Sequence, residues 1–89
     1  MKITVIGGGA MGTAIINGLL SDEETDTKEL TITNPRLSKI EYLSPKGINI
    51  CSDNIEGIKD ADLIVLAVKP WIIPDVISEI RKHIDVEKS

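Results

Sequence analysis

Near the start of the chain, Gly7-Gly8-Gly9-Ala10-Met11-Gly12 forms a G-x-G-x-x-G array. Where such an array joins a strand to a helix, each glycine has its own task. The first permits a tight turn, the second lets backbone approach a pyrophosphate, and the third lets the helix pack closely on the strand. The unpaired N–H groups and positive dipole end of the helix then face the phosphates. Glycine clusters also serve plain turns, so the context decides. Here the array follows the β-branched run Lys2 to Ile6 and opens a helical pattern, which favours a dinucleotide over a bare turn. No Lys-Ser/Thr pair follows, which excludes a P-loop.

A second group with chemical meaning is Thr33-Asn34-Pro35-Arg36. A domain selective for the unphosphorylated ribose places Asp or Glu about twenty residues past the glycines to bind the 2′-OH. This chain has no carboxylate at that point, so a 2′-phosphate is not repelled. Arg36 can form a bidentate, charge-assisted pair with it. Lys39 adds a screened charge one turn on. The plainer reading of Arg36 is a solvated surface side chain. With the acid missing as well, the expected cofactor is NADP(H), with NAD(H) as the alternative.

Other reactive side chains carry less. Cys51 lies between Ile50 and Ser52 and reads as a small buried apolar residue rather than a nucleophile. His83 reads as a cation near a helix C-terminus, and Trp71 as a packing or interface residue. Aspartates and glutamates are scattered without ligand-like spacing. Neither a metal site nor a catalytic triad is expected.

The elements that must position these residues follow from periodicity. Lys2 to Ile6 is a strand, Ala10 to Leu20 an amphipathic helix, and Ser21 to Glu29 a solvated loop. Leu30 to Thr33 is a second strand. Asn34 then reads as an N-cap with Pro35 at the first helical position, opening a short helix to about Ser44. Gly47 to Cys51 is a third strand, and Asp53 with Glu56 starts one or two helical turns. Leu63 to Val68, apolar throughout, reads as an interior strand buried on both faces. Pro74 opens a last helix with Val76, Ile77, Ile80 and Ile84 on one face. The order β-α-β-α-β-α-β-α implies parallel strands and right-handed crossovers. The expected fold is α/β, the N-terminal half of a doubly wound Rossmann-type parallel sheet, occupying residues 1–89 as one domain. Ligands of such sheets lie beyond the carboxyl ends of the strands, which brings Asn54, Ala67, Val68, Lys69 and Pro70 to the glycine array. Solvated strand-end and capping roles are the plainer readings of Lys69 and Asn54. No fifth strand follows to cover the outer edge of the fourth, so self-association is expected unless the last helix folds over it.

Composition narrows the class of partner. Ten Lys+Arg against fourteen Asp+Glu give a net charge of -4, unsuited to nucleic-acid backbones. A single cysteine excludes an intrachain disulfide and fits the cytoplasm. The uncharged stretch Ile3 to Leu20 is broken by glycines, so neither a leader peptide nor a membrane span is expected from it. A chain of 89 residues leaves little room for both a cofactor site and a complete substrate site.

Together these motifs resemble the N-terminal domain of pyrroline-5-carboxylate reductases. The likeness rests on MKITVIGGGAMGTAIINGLL, on the Asn-x-Arg after the second strand, on SDNIEGIKDADLIVLAVKP, and on the spacing between them. The AVKP of Ala67 to Pro70 is its most discriminating part. The resemblance implies reduction of the cyclic imine pyrroline-5-carboxylate to proline, in proline biosynthesis, by hydride from NADPH or NADH. It implies cofactor contacts from Ile6 to Met11 and from Asn34, Arg36, Asn54 and Ala67 to Pro70. It also implies a homo-oligomer built by a C-terminal helical domain that contributes much of the substrate pocket and has no counterpart in these residues. Pro35 separates an Asn and Arg that many relatives have adjacent, and Trp71 stands where the family often has glutamine. Rival readings are the cofactor half of another imine, keto or β-hydroxyacid reductase, and a dinucleotide-binding module without catalysis.

Overall fold

The computed structural model describes residues 1–84. Its centre is β1 (Ile3–Ile6), a β-branched run with hydrogen-bonded neighbours on both sides. β2 (Leu30–Thr33) pairs with it in parallel from Ile3↔Leu30 to Ile6↔Thr33, and β3 (Asn49–Cys51) pairs with β2. β4 (Leu63–Leu66) flanks the other side of β1, giving the parallel order β3-β2-β1-β4. Three α-helices, α1 (Ala10–Leu20), α2 (Asn54–Gly57) and α3 (Ile73–Ile80), alternate with the strands among the described residues. The doubly wound parallel topology expected from the sequence is therefore present.

Successive residues of β1 point to opposite faces, so a single strand seeds two cores. Val5 joins Ile16, Ile32, Ile40, Leu43 and Ile48 under α1. Ile6 joins Ile58, Val76 and Ile80 under α3. Fully burying such a side chain contributes roughly 1.5–3 kcal/mol. Two buried threonines are satisfied on the sheet: Thr4 Oγ1 donates to the Gly57 carbonyl at 2.7 Å, and Thr33 Oγ1 donates to Asn54 Oδ1 at 2.5 Å. Among the described residues no helix is long and apolar enough to cross a membrane.

Several local expectations are corrected. Asn34 is not an N-cap, and no α-helix begins at Pro35. The segment holds two 3₁₀ stretches, Leu37–Lys39 and Glu41–Lys46, and Arg36, in extended conformation, caps the first. The Asn34 carboxamide is engaged elsewhere, and Pro45 cannot donate to an α-helical ladder. The loop from Ser21 contains a 3₁₀ turn at Thr27–Glu29, capped by Asp26. β4 is not buried on both faces. It is an edge strand among the described residues, and Leu63 at its start is 47% exposed. The last helix packs Val76 and Ile80 beneath the sheet, and no described element covers that edge, with Ile77 exposed beside it. Of the two readings of Trp71, packing within the chain is the one corrected, and an interface role stays an expectation: the side chain is 71% exposed, with Lys69 Nζ 5.5 Å from its ring centroid. Cys51 is half-buried rather than buried, and its thiol donates to the Asp53 carbonyl at 3.2 Å. His83 lies in a 3₁₀ turn just after α3, and the expected run to Lys88 and Ser89 falls outside the described residues.

Candidate functional site

The glycine array lies where the sequence places it, between the carboxyl end of β1 and the start of α1. Gly7 has φ +112°, a left-handed conformation that L side chains rarely adopt, and an added Cβ would lie 2.6 Å from the Ala67 carbonyl oxygen. Its N–H donates to the Thr33 carbonyl at 3.0 Å. The array is thereby tied to β2 on one side and pressed against the end of β4 on the other. Gly12 is required for a different reason. A Cβ there would collide with the Gly7 carbonyl oxygen, so the first turn of α1 can close on β1 only without a side chain.

Gly9 behaves differently. It is the N-cap of α1 with ordinary extended backbone (φ -78°, ψ -163°) and no side-chain cap, and a Cβ added there would meet nothing within 4 Å. No packing within the chain demands glycine at this position. Ser, Asp or Asn would cap the helix better. The first-turn amides of α1, which have no intrahelical acceptor, open beside bare backbone at the carboxyl edge of the sheet. The missing Cβ leaves open space in front of these amides, and helix N-termini of this kind suit an anion.

At the end of β2, Gly8 N–H donates to Asn34 Oδ1 at 3.3 Å, and Asn34 Nδ2 donates to the Arg36 carbonyl at 2.8 Å. The Asn34 N–H donates to the Cys51 carbonyl at 3.0 Å, closing the line across β1, β2 and β3. Arg36 itself is exposed, and its guanidinium has no ion-pair partner among the described residues. It is an exposed cation beyond the strand ends, with no carboxylate paired to it among the described residues.

The sequence-derived candidates divide into three sets. Gly7, Gly8, Asn34, Arg36 and Ala67 are brought together by the contacts just described, and Gly9, Ala10 and Met11 continue the array as exposed residues. Val68, Lys69 and Pro70 leave the end of β4 on the same edge, with Lys69 and Pro70 exposed. Ile6, Gly12 and Asn54 are turned to internal work. The Ile6 side chain is core, and its carbonyl accepts the Ala67 N–H at 2.8 Å. Asn54 accepts from Thr33 and donates to Glu79 Oε1 at 2.8 Å, which ties α2 to α3.

Sequence reasoning missed Thr33, Ile40 and Glu79. It also missed that position 8, free in the motif, is crowded here: a Cβ would lie 2.5 Å from Ile40 Cγ2 and 3.0 Å from Asn34 Cβ. Nothing local signals these partners, because each lies more than twenty residues away in the chain. An apolar hollow of ≈ 520 Å³ lies away from the glycine array, lined by Leu63, Ile64 and Leu66 of β4 and by Ile77 and Ile80 of α3. Lys59, Asp60, Asp62 and His83 also line it. No group of His, Cys, Asp or Glu among the described residues could hold a metal ion.

Known proteins share this architecture. A pyrroline-5-carboxylate reductase from Coxiella burnetii superposes with a TM-score of 0.84 at 38% identity, over 91% of this chain and 30% of that one. A Plasmodium falciparum pyrroline carboxylate reductase, solved with NADP bound, superposes at 0.75 with 27% identity, over 93% of this chain and 29% of that one. Pyrroline-5-carboxylate reductase 3 of Danio rerio is 31% identical over 87 residues, 98% of this chain and 30% of the relative. The chain thus spans about 30% of the length of the relatives it matches. Residues 2–89 match the family described as NADP oxidoreductase, coenzyme F420-dependent, and the chain belongs to that family.

Proposed function

We propose that the chain is the NADP(H)-binding part of a pyrroline-5-carboxylate reductase. The observation that carries the reading is Gly9, a glycine without an internal packing reason at an uncapped helix N-terminus. It fits a pyrophosphate, whose oxygens would accept from the first-turn amides of α1. Arg36, exposed and without an ion-pair partner among the described residues, is the partner for a 2′-phosphate, and NAD(H) would bind without that contact. Ala67 to Lys69 border the Gly7 turn from β4, where the rest of the dinucleotide would extend. When bound, the reduced nicotinamide supplies hydride to a C=N carbon.

The named relatives support the choice of a cyclic imine as substrate. We assign the clamp that holds the imine to residues outside positions 1–89, because the carboxyl edge described here offers only cofactor-side groups. Holding two reactants in contact supplies much of the barrier reduction, so these residues alone should bind nucleotide and turn over little imine. A homo-oligomer and a cytoplasmic setting complete the reading, the latter supported by the unpaired thiol of Cys51. The test is titration of the chain with NADPH, NADH and ATP, followed by nicotinamide fluorescence or calorimetry. Saturable one-to-one binding of NADPH, weaker NADH and no competition by ATP is expected. Absence of dinucleotide binding would overturn the proposal.

A further inference from the structure

We infer that Asn34 is a positioning residue for cofactor selectivity: its carboxamide locks the glycine turn and the Arg36 loop in one register instead of contacting the cofactor. This rests on the NADP(H) reading above. Both ends of the carboxamide are spent inside the chain, Oδ1 accepting from Gly8 N–H at 3.3 Å and Nδ2 donating to the Arg36 carbonyl at 2.8 Å. That same carbonyl accepts Lys39 N–H at 3.0 Å, so it is the anchor of the 3₁₀ turn that Arg36 caps. Asn34 is held in turn by its own N–H on the Cys51 carbonyl. A pyrophosphate at Gly9 and a 2′-phosphate at Arg36 belong to one molecule, so the distance between the two sites decides whether both contacts form together.

The arrangement needs an acceptor and a donor on one short planar group. Aspartate would keep the acceptor for Gly8 but set a second oxygen against the Arg36 carbonyl. Serine has a single hydroxyl in place of the two separated groups, and alanine has no hydrogen-bonding group at all. Pro35 removes a backbone donor from the connection and restricts its φ, so the Asn34 side chain bridges where main-chain hydrogen bonding is reduced. Asn34 and Gly8 are also in close apposition, which leaves the carboxamide little freedom to turn toward a ligand.

A double-mutant cycle tests this: wild type, Asn34→Ala, Arg36→Ala and the double variant, each titrated with NADPH and NADH at fixed ionic strength. A charge-assisted contact from Arg36 gives an expected NADPH preference of about tenfold in the wild type. Asn34→Ala should cut that preference severalfold when Arg36 is present and leave it unchanged when Arg36 is alanine. Asn34→Gln, which keeps both groups, should restore part of it. An equal loss of NADPH affinity with and without Arg36 would mean direct contact or general damage, and would overturn the inference. An unchanged preference in Asn34→Ala would do the same. Wild type that binds NADPH while these variants fail the pattern leaves the NADP(H) reading standing; wild type that binds neither nucleotide removes both. Should Asn34→Ala fail to fold, side-chain NMR of the wild type decides. The Asn34 Nδ2 protons should be protected from exchange before NADPH and stay in place after it, while the Arg36 Nε proton shifts. Matching shifts of Asn34 with NADPH and NADH would overturn the inference.

Discussion

Gly12 of α1 sits so close to the Gly7 carbonyl that a single methyl group at Gly12 would collide with that oxygen. The two glycines form the joint between strand and helix, whereas Gly9, between them in the chain, opens onto empty space. Stability and binding therefore separate at neighbouring positions. Gly12→Ala should destabilise the fold by about 1–3 kcal/mol, as overpacking does. Gly9→Val should stay within about 1 kcal/mol of wild type, since only a weak N-cap preference is lost. It should nevertheless weaken NADPH and NADH together by crowding the proposed phosphate site. Urea unfolding beside nucleotide titration checks both. Loss of stability in Gly9→Val equal to that in Gly12→Ala would contradict the division.

On the proposed reading, Arg36 governs the choice between nucleotides rather than binding as such. Its guanidinium is exposed and unpaired by any described carboxylate, so removing it orphans no internal partner. Arg36→Ala should abolish a preference worth roughly 1.5–3 kcal/mol, with exposure favouring the lower value. NADH affinity should barely change, because the proposed pyrophosphate contacts lie on Gly9 to Met11 and not on Arg36. The wild-type preference should shrink as ionic strength rises. A preference insensitive to salt and to the substitution would remove Arg36 from its role.

Gly18 is the exposed glycine inside α1, and a Cβ there meets nothing within 4 Å. Alanine relieves the backbone entropy cost at no steric expense. Gly18→Ala should raise stability by about 0.5–1 kcal/mol. Thermal or urea unfolding of the variant measures it, and a drop in stability would show that this face of α1 is not free.

The open edge of β4 predicts association. Its outer backbone groups have no strand partner among the described residues, and Leu63 and Ile77 are exposed beside it. Such an edge is a template for pairing with another chain. Sedimentation velocity of residues 1–89 should show concentration-dependent self-association, reduced in Leu63→Lys, which puts a charge on the edge. A monodisperse monomer at high micromolar concentration would count against it.

Periodicity and local chemistry in the sequence determine the alternation of strands and helices, the parallel class of the sheet, and the glycine array at its strand-to-helix junction. Those features are encoded within a few residues: β-branched runs such as Ile3 to Ile6, helical spacing from Ala10 to Leu20, and glycines at the turn. Only the tertiary structure decided that Asn34 is a bridge and not a helix cap, because its partner Gly8 is 26 residues away. The same holds for Asn54, whose amide is claimed by Thr33 and Glu79 across 21 and 25 residues. The apolar run in β4 reads as interior from its composition, yet an edge is a property of the neighbours a strand has, not of its own residues. Backbone conformation is chosen largely by local sterics. A polar side chain goes to whichever distant group the assembled sheet brings within reach, and no local pattern carries that information.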